Sequence, residues 1–248
     1  MRILISGVGG HMGAEVVKLA REGYCGAEAV AGVDPSGSGD TNVPCAKTFG
    51  TACADVDCII DFSHHSCTNE LVEFAVKNSI PLVIATTGQT DEERAAIKAA
   101  SAVIPVFFAA NFSMGVALLI ELAKKTAAAM PDAEIEIIEK HHDRKVDAPS
   151  GTALAIAKAI REVRPSAVPV TGRSGQGKRT REEIGIHAIR MGNIVGEHEV
   201  MIGTQNQTIV LKHEAHSRAL FAEGALSAAA FLQGKPAGLY DMNSMIAF

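Results

Sequence analysis

Residues 139–152 contain the densest group of chemically useful side chains in this chain of 248 residues. They read Glu-Lys-His-His-Asp-Arg-Lys-Val-Asp-Ala-Pro-Ser-Gly-Thr. Histidine changes protonation state near neutral pH, with an unperturbed pKa of about 6.5, and a nearby lysine can hold an oxyanion or relay a proton. His141 and Lys145 are therefore candidates for acid–base chemistry, with His142 and Arg144 beside them as charged or polar neighbours.

A helix is predicted to begin at the end of this segment, because residues 153–160 read Ala-Leu-Ala-Ile-Ala-Lys-Ala-Ile. A Ser or Thr can cap such a helix, and a glycine leaves backbone N–H groups open to a ligand. The first N–H groups of a helix are unpaired and the helix dipole is positive there, so the start attracts anions. Ser150, Gly151 and Thr152 are therefore predicted to bind an acidic substrate, such as a carboxylate.

Two other interpretations of the histidine pair remain open from these residues alone. Adjacent histidines in a polar loop are often solvated surface, which would leave His141 and His142 without a chemical role. Metal binding is disfavoured, because the pair lacks the His-x-x-x-His spacing of a helical site and the sequence has no second ligand cluster. No metal is predicted.

The strand before the motif sets where these side chains point. In residues 133–138 the two isoleucines, Ile135 and Ile137, alternate with Glu134 and Glu136. This period of two is typical of a half-buried strand. The motif is therefore predicted to lie on a loop between a strand and a helix.

A second candidate site opens the chain. An apolar strand over residues 2–6 leads into Gly-Val-Gly-Gly-His-Met-Gly at residues 7–13, and residues 14–21 have helical character. Such a turn lets the backbone approach a pyrophosphate at the helix start. The spacing departs from Gly-x-Gly-x-x-Gly, because Met12 stands where the last glycine is usual, so a tight turn without a ligand is the alternative.

Asp34 follows the next predicted strand, over residues 29–33, and lies about twenty residues beyond the glycine turn, where an acidic side chain can bind the adenosine ribose. A turn-forming Asp before Pro35 is the alternative, and one residue can do both. Residues 35–54 are predicted to form a loop with little regular structure.

Strands and helices then alternate. Strands are predicted over 58–62, 81–85 and 105–109, with helices over 69–78 and 91–100, and this rhythm is typical of a doubly wound parallel sheet whose ligands lie at the carboxyl ends of its strands. Those ends carry Ser63, His64, Thr86, Thr87, Gly88 and residues 110–113. Singly each could be turn chemistry, but together they predict contacts to a cofactor.

The remaining residues predict a second domain. A helix over 114–130, a polar loop over 165–183, and strands over 184–190, 195–202 and 208–213 indicate a mixed or antiparallel sheet, and a helix over 217–232 follows. The predicted fold is α/β: an N-terminal Rossmann-like doubly wound parallel sheet and a second α+β domain. Residues 1–112, completed by 222–248, form the predicted dinucleotide-binding domain, and residues 113–221 the predicted substrate-binding and oligomerisation domain.

Composition excludes several classes of protein. A net charge of −5 disfavours nucleic acid as a partner. The five cysteines are odd in number and form no Cys-x-x-Cys pair, so reduced thiols are expected. No apolar run approaches the roughly 20 residues that span a bilayer, and Met1 leads straight into a strand, so no membrane association and a cytoplasmic location are expected.

Four motifs resemble those of the 4-hydroxy-tetrahydrodipicolinate reductase family, also called dihydrodipicolinate reductase, and the resemblance covers nearly the whole chain. They are residues 7–13, Ala-Ala-Asn-Phe-Ser at 109–113, the segment 139–153, and Gly-Glu-His at 196–198. The chain departs from the family at Ala85, where Gly is usual before Thr-Thr-Gly, and at His11, where Arg is frequent. Neither departure touches the histidine motif.

The resemblance implies reduction of a cyclic dicarboxylate on the diaminopimelate route to lysine, with hydride from NADH or NADPH. It implies that His141 donates a proton with Lys145 as its partner, that His142, Gly151 and Thr152 bind substrate, and that domain closure assembles the reacting groups. It also implies a homotetramer. The implied cofactor-binding residues are Gly7, Val8, Gly9, Gly10, His11, Met12, Asp34, Ala85, Thr86, Thr87, Ala109, Ala110, Asn111 and Phe112.

NADH is the predicted preferred cofactor, because Asp34 is followed by Pro35 and Ser36 where relatives that use NADPH tend to have an arginine. Ser36, Ser38 or His11 could still donate to a 2′-phosphate. Another two-domain NAD(P)-dependent oxidoreductase is the alternative enzyme. A non-catalytic NAD-binding redox sensor would need the glycine turn but not the histidine motif, and a scaffold protein would leave both polar sites without a purpose.

Overall fold

The chain forms two compact units in a computed structural model that describes residues 1–37 and 42–246. Residues 1–113, together with the chain from Arg218 onward, form the first unit, and Met114–Ser217 form the second. The strands are β1 (Arg2–Ser6), β2 (Glu28–Val33), β3 (Cys45–Ala46), β4 (Cys58–Asp61), β5 (Leu82–Ile84), β6 (Pro105–Phe108), β7 (Glu134–His141), β8 (Val168–Thr171), β9 (Glu183–Arg190), β10 (Gly196–Gly203), β11 (Thr208–Ala215) and β12 (Gly238–Tyr240). The α-helices are α1 (His11–Arg21), α2 (Thr68–Lys77), α3 (Asp91–Ser101), α4 (Met114–Ala129), α5 (Gly151–Val163) and α6 (Ala219–Leu232).

The first unit is built on a parallel sheet in the order β12-β6-β5-β4-β1-β2-β3. Helices α1 and α6 pack together, and so do α2 and α3. The central strands β4 and β5 are buried along their whole length, which explains the apolar runs over residues 58–60 and 82–84. The doubly wound, Rossmann-like sheet predicted from the alternation is confirmed, and its strands end at one common edge.

The second unit is a mixed sheet in the order β11-β10-β7-β9-β8. Strand β7 runs antiparallel to β10 and parallel to β9. Helices α4 and α5 pack on one face through a buried cluster that includes Leu119 and Ile156, with Ile137 of β7 beneath them. The mixed sheet of the predicted α+β domain is confirmed, and β7 lies at its centre.

Three short strands and one strand end differ from the sequence predictions. Strand β3 lies inside the predicted loop over 35–54, and β8 lies inside the predicted loop over 165–183; both are edge strands of two and four residues, too short to show a period. The short β12 completes the other edge of the first sheet. Ser38 and the rest of residues 38–41, and residues 247–248 of the predicted first domain, lie outside the described residues.

Strand β7 is longer than the predicted strand over 133–138. It continues to His141, because its last residues pair with Ala188, Ile189 and Arg190 of β9. His141 therefore lies on the end of a central strand and not on the loop where the sequence analysis placed it. In the described part of the chain, no helix is long and apolar enough to cross a membrane.

Candidate active site

A fully buried carboxylate lies at the end of β7. Glu139 has the same phase as Ile135 and Ile137, so the alternation that buries the isoleucines also buries its side chain, which is 0% exposed. Arg190 donates to both carboxylate oxygens, from Nη1 to Oε2 at 2.8 Å and from Nη2 to Oε1 at 2.7 Å. Burial acts to raise the pKa of this carboxyl, but the hydrogen bonds from Arg190, His141 and the backbone of Ser150 hold it below its usual range. Glu139 is therefore an ionised group inside the unit.

The His141 imidazole is held by this carboxylate. Its Nδ1 lies 2.6 Å from Oε2 of Glu139, and its ring meets the His198 ring edge-on with 5.2 Å between centroids. A bond from Nδ1–H to the carboxylate leaves Nε2 as the nitrogen that can exchange a proton with a ligand. A Cβ on Gly196 would lie 3.1 Å from this Nε2, so the glycine keeps space beside this nitrogen.

The start of α5 is tied to the same carboxylate. The Ser150 backbone N–H donates to Oε1 of Glu139 at 3.0 Å, and its Oγ accepts from the Ala153 N–H at 3.2 Å, which confirms the predicted N-cap. Oγ also lies 3.0 Å from Nε2 of His198. Because Ser150 is only 2% exposed and makes these contacts inside the protein, its visible role is to set the helix start.

Gly151 and Thr152 form the first turn of α5. Gly151 is exposed, and a Cβ added to it would meet nothing within 4 Å; Thr152 is half-buried. The first N–H groups of a helix have no carbonyl partner within the helix, and the positive end of its dipole lies there. This end of α5 can therefore receive a carboxylate at Gly151 without displacing protein atoms.

The loop that follows β7 carries the other predicted site residues. The backbone of His142 donates to Ile194 O at 2.8 Å, which holds this half-buried residue against the connection before β10. Nζ of Lys145 lies 2.7 Å from Oδ1 of Asp147, and this lysine holds the pKa of the Asp147 carboxyl below its usual range. The structure thus brings His141, His142, Lys145 and the start of α5 into one region of the second unit.

His198 is a buried histidine at the same place. Its side chain is on the inward face of β10, and burial, with the neighbouring His141 as the next cause, lowers its pKa to about 4. It is therefore neutral at pH 7. Among the described residues its Nδ1 has no hydrogen-bond partner.

The glycine turn of the first unit has the close backbone approaches that a dinucleotide site requires. Gly7 has φ +78°, and a Cβ there would lie 2.6 Å from Phe62 O; a Cβ on Gly13 would lie 2.2 Å from Gly7 O. Gly10 is the N-cap of α1 and has no side-chain cap, while Gly9, Gly10 and His11 are exposed and Met12 is half-buried. This exposed backbone at a helix start fits a pyrophosphate. The Val8 side chain is fully buried against Gly32, so only its backbone could contact a cofactor.

Asp34 is joined to the glycine turn. Its Oδ2 accepts from the Gly9 N–H at 3.0 Å, and its Oδ1 accepts from the N–H of Ser36 at 3.0 Å and from its Oγ at 2.5 Å. Burial acts to raise the pKa of this carboxyl, and the bonds from Ser36 and Gly9 hold it below its usual range. An ionised carboxylate therefore lies beside the glycine turn. The bonds from Ser36 show that Asp34 forms the turn considered as its alternative role, and contact with the adenosine ribose stays a prediction.

The remaining predicted cofactor residues follow β5 and β6. Half-buried Ala85, buried Thr86 and exposed Thr87 line a pocket with Phe62, Ser63, His64 and His65. Oγ1 of Thr86 is buried without a hydrogen-bond partner among the described residues, which fits a site completed by a polar ligand. Ala109 is half-buried and Ala110 exposed, and Asn111 Oδ1 accepts from Ser113 N at 2.8 Å. The Phe112 ring is buried against Phe62 and Phe107, so its side chain belongs to the core.

Comparison with known proteins decides the family. The family described as dihydrodipicolinate reductase, N-terminus, matches residues 1–112, and the one described as dihydrodipicolinate reductase, C-terminus, matches residues 115–246. The chain is 41% identical to the 4-hydroxy-tetrahydrodipicolinate reductase of Clostridium tetani, over 99% of this chain and 97% of that protein. It is 45% identical to the enzyme of the same name from Caldanaerobacter subterraneus subsp. tengcongensis, over 99% and 98%. The chain belongs to the dihydrodipicolinate reductase family.

Solved structures agree with this membership. A dipicolinate-bound dihydrodipicolinate reductase from Paenisporosarcina sp. TG-14 superposes with a TM-score of 0.79 at 27% identity, covering 100% of this chain and 99% of that one. A probable dehydrogenase from Thermotoga maritima, at 10% identity and a TM-score of 0.63 over 97% and 91% of the two chains, shares the fold alone. The two-part α/β architecture is therefore that of dihydrodipicolinate reductases.

Sequence reasoning missed two charged residues of this candidate site, Glu139 and Arg190. Glu139 carried a readable signal, because it continues the buried phase of Ile135 and Ile137, and a charge at a buried position requires partners. Arg190 carried no such signal in the sequence. It reaches Glu139 only because β7 and β9 pair with His141 opposite Arg190, a register that neither strand specifies alone.

Proposed function

We propose that this chain is a 4-hydroxy-tetrahydrodipicolinate reductase that forms tetrahydrodipicolinate with NADH or NADPH in the diaminopimelate route of lysine biosynthesis. The reaction consumes the substrate, the reduced cofactor and one proton, and releases tetrahydrodipicolinate, the oxidised cofactor and water. The observation that carries the proposal is the junction of β7 and α5, where Glu139 binds both Nδ1 of His141 and the N-cap Ser150. A proton donor and an anion-binding helix start are therefore fixed to one carboxylate.

In this proposal the second unit binds the dicarboxylate and supplies the proton. His141 donates from Nε2, Lys145 is its catalytic partner, and a substrate carboxylate lies at the exposed backbone of Gly151 and Thr152, with His142 alongside. When bound, the nicotinamide cofactor supplies the hydride. Ser150 sets the orientation of the helix start through its bonds to Glu139 and Ala153.

The first unit holds the cofactor in this proposal. The glycine turn receives the pyrophosphate on its exposed backbone, Asp34 accepts from the adenosine ribose, and the segments after β5 and β6 complete the site. The close approach of Gly13 to Gly7 supports this assignment, as does Oγ1 of Thr86, which has no hydrogen-bond partner within residues 1–37 and 42–246. Residues 1–112 with 222–248 are the proposed cofactor domain, and residues 113–221 the proposed substrate and assembly domain.

A homotetramer and a cytoplasmic location are part of the same proposal. The edge strand β11 exposes Ile209 and Val210, and an edge that pairs or packs in an assembly would cover them. Light scattering at micromolar concentration should then give about four times the chain mass of 26.0 kDa, and a monomer would refute the assembly. All five cysteines are free thiols, as expected in a reducing compartment.

A coupled assay tests the reductase function. Purified dihydrodipicolinate synthase, pyruvate and aspartate semialdehyde generate the substrate, and NADH oxidation is followed at 340 nm after this protein is added. The proposal expects oxidation that depends on the synthase and on both of its substrates. NADH oxidation that proceeds without the synthase, or none at all, would instead favour the other oxidoreductase or the redox sensor.

A further inference from the structure

Four hydrogen-bond donors converge on the Glu139 carboxylate. Oε2 receives Nδ1 of His141 and Nη1 of Arg190, and Oε1 receives Nη2 of Arg190 and the Ser150 backbone N–H, at distances from 2.6 to 3.0 Å. Nη2 of Arg190 also donates to Asp147 O at 2.7 Å, so the guanidinium holds the loop after β7 as well. Every lone-pair direction of the carboxylate is used, and its position is fixed by donors from β7, from β9 and from the start of α5.

Stability alone does not account for this arrangement. A buried ion pair loses its hydration, and well-packed apolar residues of similar volume usually stabilise a protein as well or better. Glu139 is 0% exposed and has the phase of the buried Ile135 and Ile137, so its charge has lost its hydration. The charged pair therefore calls for a role beyond packing, and His141 is the group it contacts that can do chemistry.

We propose that Glu139 and Arg190 are paired positioning residues for His141: Glu139 fixes the imidazole with its proton on Nδ1 and Nε2 turned to the substrate, and Arg190 neutralises Glu139 so that His141 can release its proton. The proposal rests on the proposed reductase function for its kinetic consequences. Its structural part, the position of the ring proton, does not depend on that function.

The charge balance around His141 gives the sign of each effect. The titratable and charged groups around His141 come from each neighbouring element. Glu139 lies on β7 with His141, Arg190 lies on β9, and His198 lies on β10. Lys145 and Asp147 lie on the loop after β7, and His213 of β11 lies beyond His198. The carboxylate stabilises a protonated imidazole, and the guanidinium opposes it. Removing Glu139 therefore leaves Arg190 to disfavour the protonated ring, whereas removing Arg190 leaves the carboxylate to hold the proton more tightly.

Glu139→Gln tests the orientation. An amide at this position must point its NH₂ group at one of the two sets of donors. If the NH₂ group points toward Ser150, it faces only donors. If it points toward His141, it can donate to Nδ1 once the ring proton has moved to Nε2. We therefore expect the neutral His141 ring to switch its tautomer in this variant. The ¹⁵N shifts of ring-labelled histidine, assigned by comparison with His141→Gln, report this directly: Nδ1–H in the wild type and Nε2–H in Glu139→Gln.

The pH dependence of kcat tests the charge balance. In Glu139→Gln we expect kcat to fall by about 10- to 1000-fold, because a positioned general acid is worth about 10² to 10⁴, and its alkaline limb to move to lower pH by about one unit or more. In Arg190→Gln the alkaline limb should move to higher pH. Arg190→Lys keeps the positive charge but loses the bidentate contact with Glu139. The alkaline limb of kcat in this variant should therefore stay close to that of the wild type while kcat falls.

Arg181→Gln is the matched control. It removes the same charge from an exposed arginine of the same unit that pairs with Asp132, and it should leave kcat and the pH profile unchanged.

Opposite shifts in Glu139→Gln and Arg190→Gln, with a switched tautomer in the first, support the proposal. If the alkaline limbs of kcat in these two variants stay in place or move in the same direction, the proposed charge balance around His141 is wrong. If the His141 tautomer is unchanged in Glu139→Gln, the proposed orientation of the ring by Glu139 is wrong. Should Arg190→Gln fail to fold, Arg190→Lys and Glu139→Gln still decide. If the wild type fails to oxidise NADH, the reductase function fails while the tautomer measurement still decides the positioning.

Discussion

Gly151 provides a test of the anion site that is separate from folding. It is the first residue of α5, is exposed, and has open space where a Cβ would be. Gly151→Ala should keep or raise the melting temperature, since Gly to Ala at a compatible position stabilises by about 0.4 to 1 kcal/mol. The new methyl would occupy the place of the substrate carboxylate, so we expect KM for the dicarboxylate to rise at least about tenfold, a loss of about 1.4 kcal/mol.

The control for Gly151→Ala is Gly50→Ala, an exposed glycine of the first unit whose Cβ would have only Thr48 Oγ1 nearby, at 3.8 Å. Its KM should equal that of the wild type. If Gly151→Ala also binds substrate normally, the carboxylate does not lie at the start of α5.

His198 makes folding stability depend on pH. Because its pKa is lowered to about 4 in the folded state, the unfolded chain binds more protons between that value and its ordinary 6.5. Its contribution is therefore complete above about pH 6.5 and is lost as pH falls toward 4, by up to about 3 kcal/mol. His198→Gln, which can still reach Ser150, should show a smaller loss of unfolding free energy between pH 7 and pH 5 in urea melts. Parallel losses in the two proteins would contradict a neutral His198.

At the scale of secondary-structure elements, the glycine turn between β1 and α1 can be tested independently of the substrate site. A Cβ on Gly13 would lie 2.2 Å from Gly7 O and 2.8 Å from Val8 Cα, both backbone atoms, so the turn must move. We expect Gly13→Ala to weaken NADH binding at least about tenfold, measured by fluorescence titration. Gly151→Ala serves as its counterpart, because it should keep wild-type NADH affinity. Equal NADH affinity in wild type and Gly13→Ala would remove the turn from the cofactor site.

Long periodic elements could be predicted from the sequence, and short edge elements could not. Strands β1, β4 and β5 of the first unit lie within one residue of their predicted bounds, because apolar runs and the turn residues that bound them are local signals. Strands β3 and β8 exist only because they pair with β2 and β9, which no local pattern records. The same holds for His141, whose strand was extended by pairing with Arg190.

The candidate site follows the same division. His141, Lys145 and the helix start could be found from residue types and spacing. Glu139 was within reach, because it continues the buried alternation of β7, but the partners that make a buried carboxylate tolerable come from β9 and from the start of α5. Contacts between distant segments are set by register and packing, and a single sequence carries them only indirectly.

At the scale of the whole molecule, the choice of cofactor tests how the first unit recognises a dinucleotide. Asp34 is ionised and Ser36 already donates its hydroxyl to Asp34, so a 2′-phosphate would face a negative charge. We expect kcat/KM for NADH to exceed that for NADPH by about ten- to a hundredfold, which corresponds to about 1.5 to 3 kcal/mol. Measured at equal ionic strength, equal values or an NADPH preference would contradict this account; Asp34→Asn should reduce the ratio.

The central claim is that this chain reduces the cyclic dicarboxylate with His141 as proton donor, and one measurement tests it most directly: kcat and KM of His141→Gln beside the wild type in the synthase-coupled assay, at saturating NADH. The account predicts that the wild type oxidises NADH and that the variant, folded as judged by circular dichroism, loses about 10² to 10⁴ in kcat, because the proton is needed in the transition state. KM for the substrate should change far less. A folded variant with wild-type kcat would contradict the claim.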